Sequence, residues 1–317
     1  MAEDDLWLIT RSGGRAERLT AGVAGVKTPR FSPDGKQLAF VSQFEGPEEV
    51  YLLPHLGEEA RRLTFLSSSC TVVGWVPTGE AILFASNTGQ YVLKAQALYA
   101  LNHQGGLPDL LPYGLANAMS YGPTGEVVIG HNMGEPAHWK RYRGGRVGQL
   151  WCDIRGDGQF QRLTQIEGNV ACPCWIGERI YFLSDYEGCG NIYSCLPNGE
   201  DIQRHTDHHD FYARGLSSDG ERCVYHAGGN LYLFDPPSNE AQRLEIELPS
   251  NRPQRSRKFV SASVYLNSYA LHPQGYAVAL TARGKAFSMA HWEGPVLQYG
   301  QAEGVRYRHL IPSCNLW

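Results

Sequence analysis

Six times along the chain an aromatic residue opens a strand-like run, and thirteen positions later a short polar segment closes. The pairs are Trp7–Thr20, Tyr51–Thr64, Tyr99–Pro112, Trp151–Thr164, Tyr193–Thr206 and Tyr232–Glu245. One internal spacing kept across six copies means a repeat architecture, and that constrains the fold more than any single motif does. Each copy reads as a hairpin. The aromatic sits in an alternating apolar run, as a half-buried strand requires. Gly, Asn, Pro or Asp supply a tight turn, and an Arg- and Glu-rich segment follows, suited to a solvent-facing edge.

A second signal precedes most copies. "FSPDGKQLAFVS" begins at Phe31, "WVPTGEAILFAS" at Trp75, "YGPTGEVVIGHN" at Tyr121, "CWIGERIYFLS" at Cys174 and "LSSDGERCVYH" at Leu216. Most carry a Pro- or Asp-Gly turn followed by an alternating strand. The full unit is therefore four strands, recurring every 39 to 52 residues. Four-stranded units of that length are the mark of β-propeller blades, which stack because one small sheet cannot bury its own faces. The fold class expected is all-β, a β-propeller of four-stranded blades. Recurrence once per blade makes the six aromatics packing residues rather than a binding platform.

Composition narrows the function. Charged residues are 19 % and the formal net charge is −4, which gives no support for nucleic-acid binding. No run is long and apolar enough to span a membrane. The eight cysteines follow no framework; Cys172 and Cys174 are two apart, neither metal-ligand spacing nor easily bridged. They read as free thiols of a reducing compartment. The acidic start "MAEDDLWLIT" has no signal-peptide core.

The ends depart from the repeat. The copy at Trp7 has no Pro/Gly turn and no inner strands before it. After the polar stretch "ELPSNRPQRSRK" another blade begins, with "HPQG" as its turn and Phe287 in the aromatic place, and "VRYRHLIPSCNLW" opens a further strand. The chain reads as a fragment.

At "HWKRYRGGRVGQLW", residues 138–151, the sequence resembles the tricorn proteases, and "NIYSCLPNGEDIQRHT" and "GGNLYLFDP" are similar to later blades of that family. The resemblance runs over residues 3 to 308. It implies a cytosolic serine peptidase built from a six-bladed propeller, a seven-bladed propeller and a catalytic half, the propellers being non-catalytic channels or filters for peptides. On this view residues 1–250 are the six-bladed propeller lacking the inner strands of blade one, 251–258 a linker, and 259–317 the first blade of a second, truncated propeller. The implied partners are peptides and the remaining protease domains, with self-association left open. An interaction propeller of the TolB-like kind is the alternative.

No residue pattern supports chemistry within the chain. There is no Gly-x-Ser-x-Gly elbow, phosphate loop or dinucleotide fingerprint, so no catalytic residue and no cofactor are expected. "HTDHHDFY", residues 205–212, offers three imidazoles and two carboxylates, but in a loop after an outer strand it reads as polar surface, not a metal centre. The candidate contact site is the 138–146 insert, with His138, Trp139, Lys140, Arg141, Arg143 and Arg146. It could hold a peptide C-terminal carboxylate or pair with acidic groups of a neighbouring domain, since Arg suits both. Packing of Trp139 and Tyr142 with merely solvated charges is the competing reading.

Overall fold

Thr64 explains the thirteen-residue register. In the computed structural model its hydroxyl accepts the Val50 N–H (2.8 Å) and donates to the buried Glu49 carboxylate (2.5 Å). Arg62 donates to the Thr64 carbonyl (2.9 Å) and pairs with Glu49 (3.1 Å). Thr206 repeats this with Ile192 N–H and Asn191, and Thr20 with Leu6 N–H and Asp5. Arg204 and Arg18 take the place of Arg62. The Thr is thus a clasp closing the outer hairpin onto the acid or amide two residues before the aromatic.

The structure describes residues 3–22, 24–135, 137–138, 140–163, 166, 168–252, 261–301 and 304–313. The chain divides into two compact units, Met1–Asn251 and Arg252–Trp317. Of the linker expected at 251–258, residues 253–258 lie outside the described residues, as does Thr164 of the repeat.

The first unit opens with β1 (Trp7–Leu8), β2 (Gly14–Arg15) and β3 (Glu17–Arg18), β1 pairing antiparallel with β3. Five four-stranded antiparallel sheets follow, each in sequence order. They are β4 (Val26–Phe31), β5 (Leu38–Ser42), β6 (Glu49–Leu53) and β7 (Arg61–Arg62); β8 (Cys70–Trp75), β9 (Ala81–Ser86), β10 (Ala97–Asn102) and β11 (Asp109–Leu115); β12 (Ala118–Tyr121), β13 (Val127–His131), β14 (Gln149–Asp153) and β15 (Gln161–Arg162); β16 (Val170–Ile176), β17 (Arg179–Ser184), β18 (Asn191–Cys195) and β19 (Gln203–Arg204); and β20 (Arg214–Ser218), β21 (Cys223–Ala227), β22 (Asn230–Asp235) and β23 (Glu240–Arg243). β24 (Ile246–Glu247) then pairs parallel with β2. Gly13 is required there: a Cβ would stand 2.5 Å from the Glu245 carbonyl oxygen, and φ is +78°.

The repeated aromatics lie inside the sheets. Tyr51, Tyr99, Tyr193 and Tyr232 each stack on the aromatic directly opposite in the neighbouring strand, Phe40, Phe84, Phe182 and Tyr225. Hydrophobic clusters then bridge successive sheets, as where Val41, Val50 and Leu52 meet Val72, Trp75 and Phe84. The innermost strands β4, β8, β12, β16 and β20 line the ring axis and bond across sheets: Trp75 Nε1–H to the Arg30 carbonyl (3.1 Å) and Trp175 N–H to Ser120 Oγ (2.9 Å). Hairpin alternation puts the first and third turns of every sheet on one face of the ring. The middle connections and the sheet-to-sheet crossings lie on the other face.

The second unit holds a four-residue helix, α1 (Ala262–Tyr265), and one antiparallel sheet of β25 (Leu266–Leu271), β26 (Ala277–Ala282), β27 (Lys285–Ala290) and β28 (Leu297–Tyr299). Val278–Thr281 pair within this sheet. The fold is a β-propeller of four-stranded blades, all-β among the described residues apart from that turn of helix.

Candidate functional site at one mouth of the ring

The connection between β13 and β14 is the long one, and it lies on the mouth formed by the middle connections. Its start is pinned by Asn117, whose side-chain amide donates to the Met133 carbonyl (2.7 Å) and accepts the Met133 N–H (2.9 Å). Glu135 then lies against Arg214 of β20 at 3.1 Å, an ion pair off the donor direction. Further on, the backbone N–H of Arg141 donates to Asp185 at 2.5 Å. Asp185, only 1 % exposed, also accepts from the backbone and side chain of Asn169 (2.9 and 3.2 Å). Arg141 has φ +55°, a left-handed conformation unusual for a long side chain. The Lys140 ammonium stands 5.1 Å over the ring of Tyr212. Tyr212 is itself fixed: its hydroxyl donates to the Gly188 carbonyl (3.0 Å), and its ring packs where a Cβ on Gly190 would meet it at 2.6 Å. Burial raises the Tyr212 pKa, with Asp185 adding to the effect.

The insert is therefore pinned on groups from three sheets. His138, Lys140, Arg141, Arg143 and Arg146 are all exposed, and Tyr142 is half-buried with its hydroxyl over Gly144. Trp139 lies outside the described residues. Four cations within seven residues on a fixed backbone form a surface suited to a carboxylate or another oxyanion.

The imidazoles of the 205–212 stretch are engaged separately. His205 is bonded to Ser194 (2.7 Å) and Asn239 (2.6 Å), His208 to the Tyr225 hydroxyl (3.0 Å) and His209 to Asp207 (3.0 Å). Burial lowers the pKa of His205 and His208. Among the described residues no group of three or more His, Cys, Asp or Glu is placed to hold a metal ion. The seven described cysteines are free thiols, and burial pushes those of Cys70, Cys152 and Cys195 up to about 12. Among the described residues no helix is long and apolar enough to cross a membrane.

The sequence offers no signal for Asp185, Glu135 and Arg214, which carry the insert, and Tyr212 stands out only as the end of the polar 205–212 stretch. "SDYEG" looks like turn chemistry, and the partners are distant in sequence, so no spacing connects them.

Ring and rim together define a β-propeller with a cationic insert over one mouth. The chain belongs to the tricorn protease family: residues 1–240 match the family described as the tricorn protease N-terminal beta propeller domain. It is 40 % identical over 311 residues to tricorn protease homolog 1 of Streptomyces coelicolor, covering 97 % of this chain and 29 % of the relative. A crystal structure of the tricorn protease superposes with a TM-score of 0.78 at 28 % identity, covering 96 % of this chain and 30 % of that one. In Sulfurisphaera tokodaii the similarity is divided between two proteins. A putative tricorn-like protease N-terminal subunit matches at 27 % over 155 residues, 47 % of this chain and 77 % of the relative. The corresponding C-terminal subunit matches at 40 % over 156 residues, 49 % of this chain and 18 % of the relative. This chain thus spans under a third of the full-length relatives.

Proposed function

We propose that this chain is the non-catalytic propeller part of a cytoplasmic tricorn-like serine protease, channelling or filtering peptides and scaffolding the catalytic part. In this reading residues 1–250 are the six-bladed propeller and 259–317 the first blade of a second. The partners are peptides and the protease domains of the same enzyme. The relatives' division into N- and C-terminal subunits supports such partnership without a covalent link.

The observation that carries the proposal is the pinned insert. Buried Asp185 and the Tyr212 ring hold a run of exposed cations at one opening of the ring. The Lys140–Arg141 pair offers two charges to the carboxylate that every unmodified peptide carries at its C-terminus, with Arg143, Arg146 and His138 beside it.

The purified chain is expected to bind a short peptide with a free C-terminus saturably, more weakly as salt rises, and to leave it intact. Calorimetric titration followed by mass analysis of the recovered peptide checks both points. Absence of binding would remove the filter role. Cleavage surviving a serine-reagent control would overturn the non-catalytic assignment.

A further inference from the structure

A second cation lies inside the ring. Arg30 stands on β4, innermost in its sheet, directly after a bulge in the pairing between Lys27 and Arg30. The bulge holds Thr28 at φ +46°, an outlier for a β-branched residue, and bulges re-aim the side chains next to them. The half-buried Arg30 guanidinium donates to the carbonyl of its own neighbour Pro29 (2.9 Å) and, at a long 3.4 Å, to Val73 on the adjacent inner strand β8. Among the described residues it has no carboxylate within ion-pair distance, although Arg62, Arg179, Arg204, Arg214 and Arg222 all do. The titratable groups that bear on it are the thiols of Cys174 and Cys172. These sit on β16, also the innermost strand of its sheet, three sheets around the ring. Burial lowers its pKa and raises that of Cys172 to about 12, so that thiol is neutral and supplies no counter-charge.

A partly buried cation held only by backbone carbonyls, with no carboxylate beside it, has its charge incompletely balanced. We infer that the axial channel contains an oxyanion site, with Arg30 as the charge that binds a carboxylate or a phosphate-like group. A guanidinium still offering donors is shaped for such groups. The site is separate from the rim insert and does not depend on its role.

The test uses the full chain and its Arg30→Met and Arg30→Lys variants, each also in a Lys140→Ala/Arg141→Ala background. Inorganic phosphate is the first probe. The wild-type melting temperature should rise with phosphate in both backgrounds, whereas Arg30→Met should bind it about 10- to 100-fold more weakly. Without added anion, Arg30→Met should melt at or above wild type, because it removes an incompletely balanced charge. Arg30→Lys should keep a weakened phosphate response, which decides the question if Arg30→Met fails to fold. A tripeptide free acid and its amide identify the source. Competition with phosphate by the acid alone supports a peptide carboxylate, and binding of phosphate without competition supports a free oxyanion. Equal phosphate affinity in wild type and Arg30→Met would overturn the site. So would a lower anion-free melting temperature of Arg30→Met with no phosphate response in wild type, which would make Arg30 a structural residue.

Discussion

Replacing Glu49 by alanine is expected to destabilise the first unit by about 3–5 kcal/mol, the cost of leaving three donors without their shared acceptor at about 1–3 kcal/mol each. The Glu49 carboxylate is fully buried and accepts from Thr64, Arg62 and the backbone N–H groups of Leu66 and Ser67. Alanine leaves the Thr64 hydroxyl and the Leu66 and Ser67 N–H groups without this acceptor, while Arg62 keeps Glu45 (3.3 Å) and the Thr64 carbonyl. Thr64→Val removes only the clasp hydroxyl and should cost about 1–3 kcal/mol. Urea unfolding followed by tryptophan fluorescence gives both values, and a loss from Glu49→Ala no larger than from Thr64→Val would refute the clasp as drawn. The pH dependence has a definite sign. Burial acts to raise the Glu49 pKa, but the Thr64 hydroxyl, the Ser67 and Leu66 N–H groups and Arg62 together hold it below the ordinary glutamate value. Its contribution is present above the unfolded-state pKa and is lost as pH falls through the lower folded value. Wild type should therefore lose its advantage over Glu49→Ala in acid, not in base.

Replacing Asp185 by alanine should release the insert. The carboxylate is the acceptor for Arg141 and for two Asn169 donors, and leaving buried donors unsatisfied costs about 1–3 kcal/mol. Without it nothing balances the left-handed Arg141 backbone. Tryptic cleavage after Lys140, Arg141, Arg143 and Arg146 should accelerate by about 10- to 100-fold as the segment opens more often. Asp185→Asn replaces one acceptor oxygen by a donor and should behave similarly. Cleavage at the wild-type rate in both variants would show that Asp185 does not hold the insert.

The parts of this fold legible in the sequence are the parts built locally. The Tyr51–Thr64 spacing is visible because Thr64, Arg62 and Glu49 all belong to one hairpin, so the repeat preserves their chemistry as well as their distance. The second strand of each sheet announces itself through the turn before it and places Phe40 or Phe182 opposite the repeated aromatic. Tyr99–Pro112 shows the limit: Pro takes the place of the clasp, and the outer strand β11 runs on to Leu115, an edge position where a missing N–H is tolerated. The insert was legible as a cationic run, but not as a fixed one. Arg141 meets Asp185 across 44 residues, and Arg30 meets the Val73 carbonyl across 43. Only the stacking of whole sheets sets such distances, so the parts that position charge are those a one-dimensional reading leaves unconnected.

We propose that the fixed Lys140–Arg141 rim recognises the C-terminal carboxylate of peptides. Fluorescence anisotropy of one labelled peptide, as free acid and as C-terminal amide, against the wild-type chain and the Lys140→Ala/Arg141→Ala variant tests it most directly. Binding of the acid to wild type is predicted to be about 10- to 100-fold tighter than any of the other three combinations, the worth of a charge-assisted contact. Equal binding of acid and amide to wild type, or undiminished binding of the acid to the variant, would contradict it.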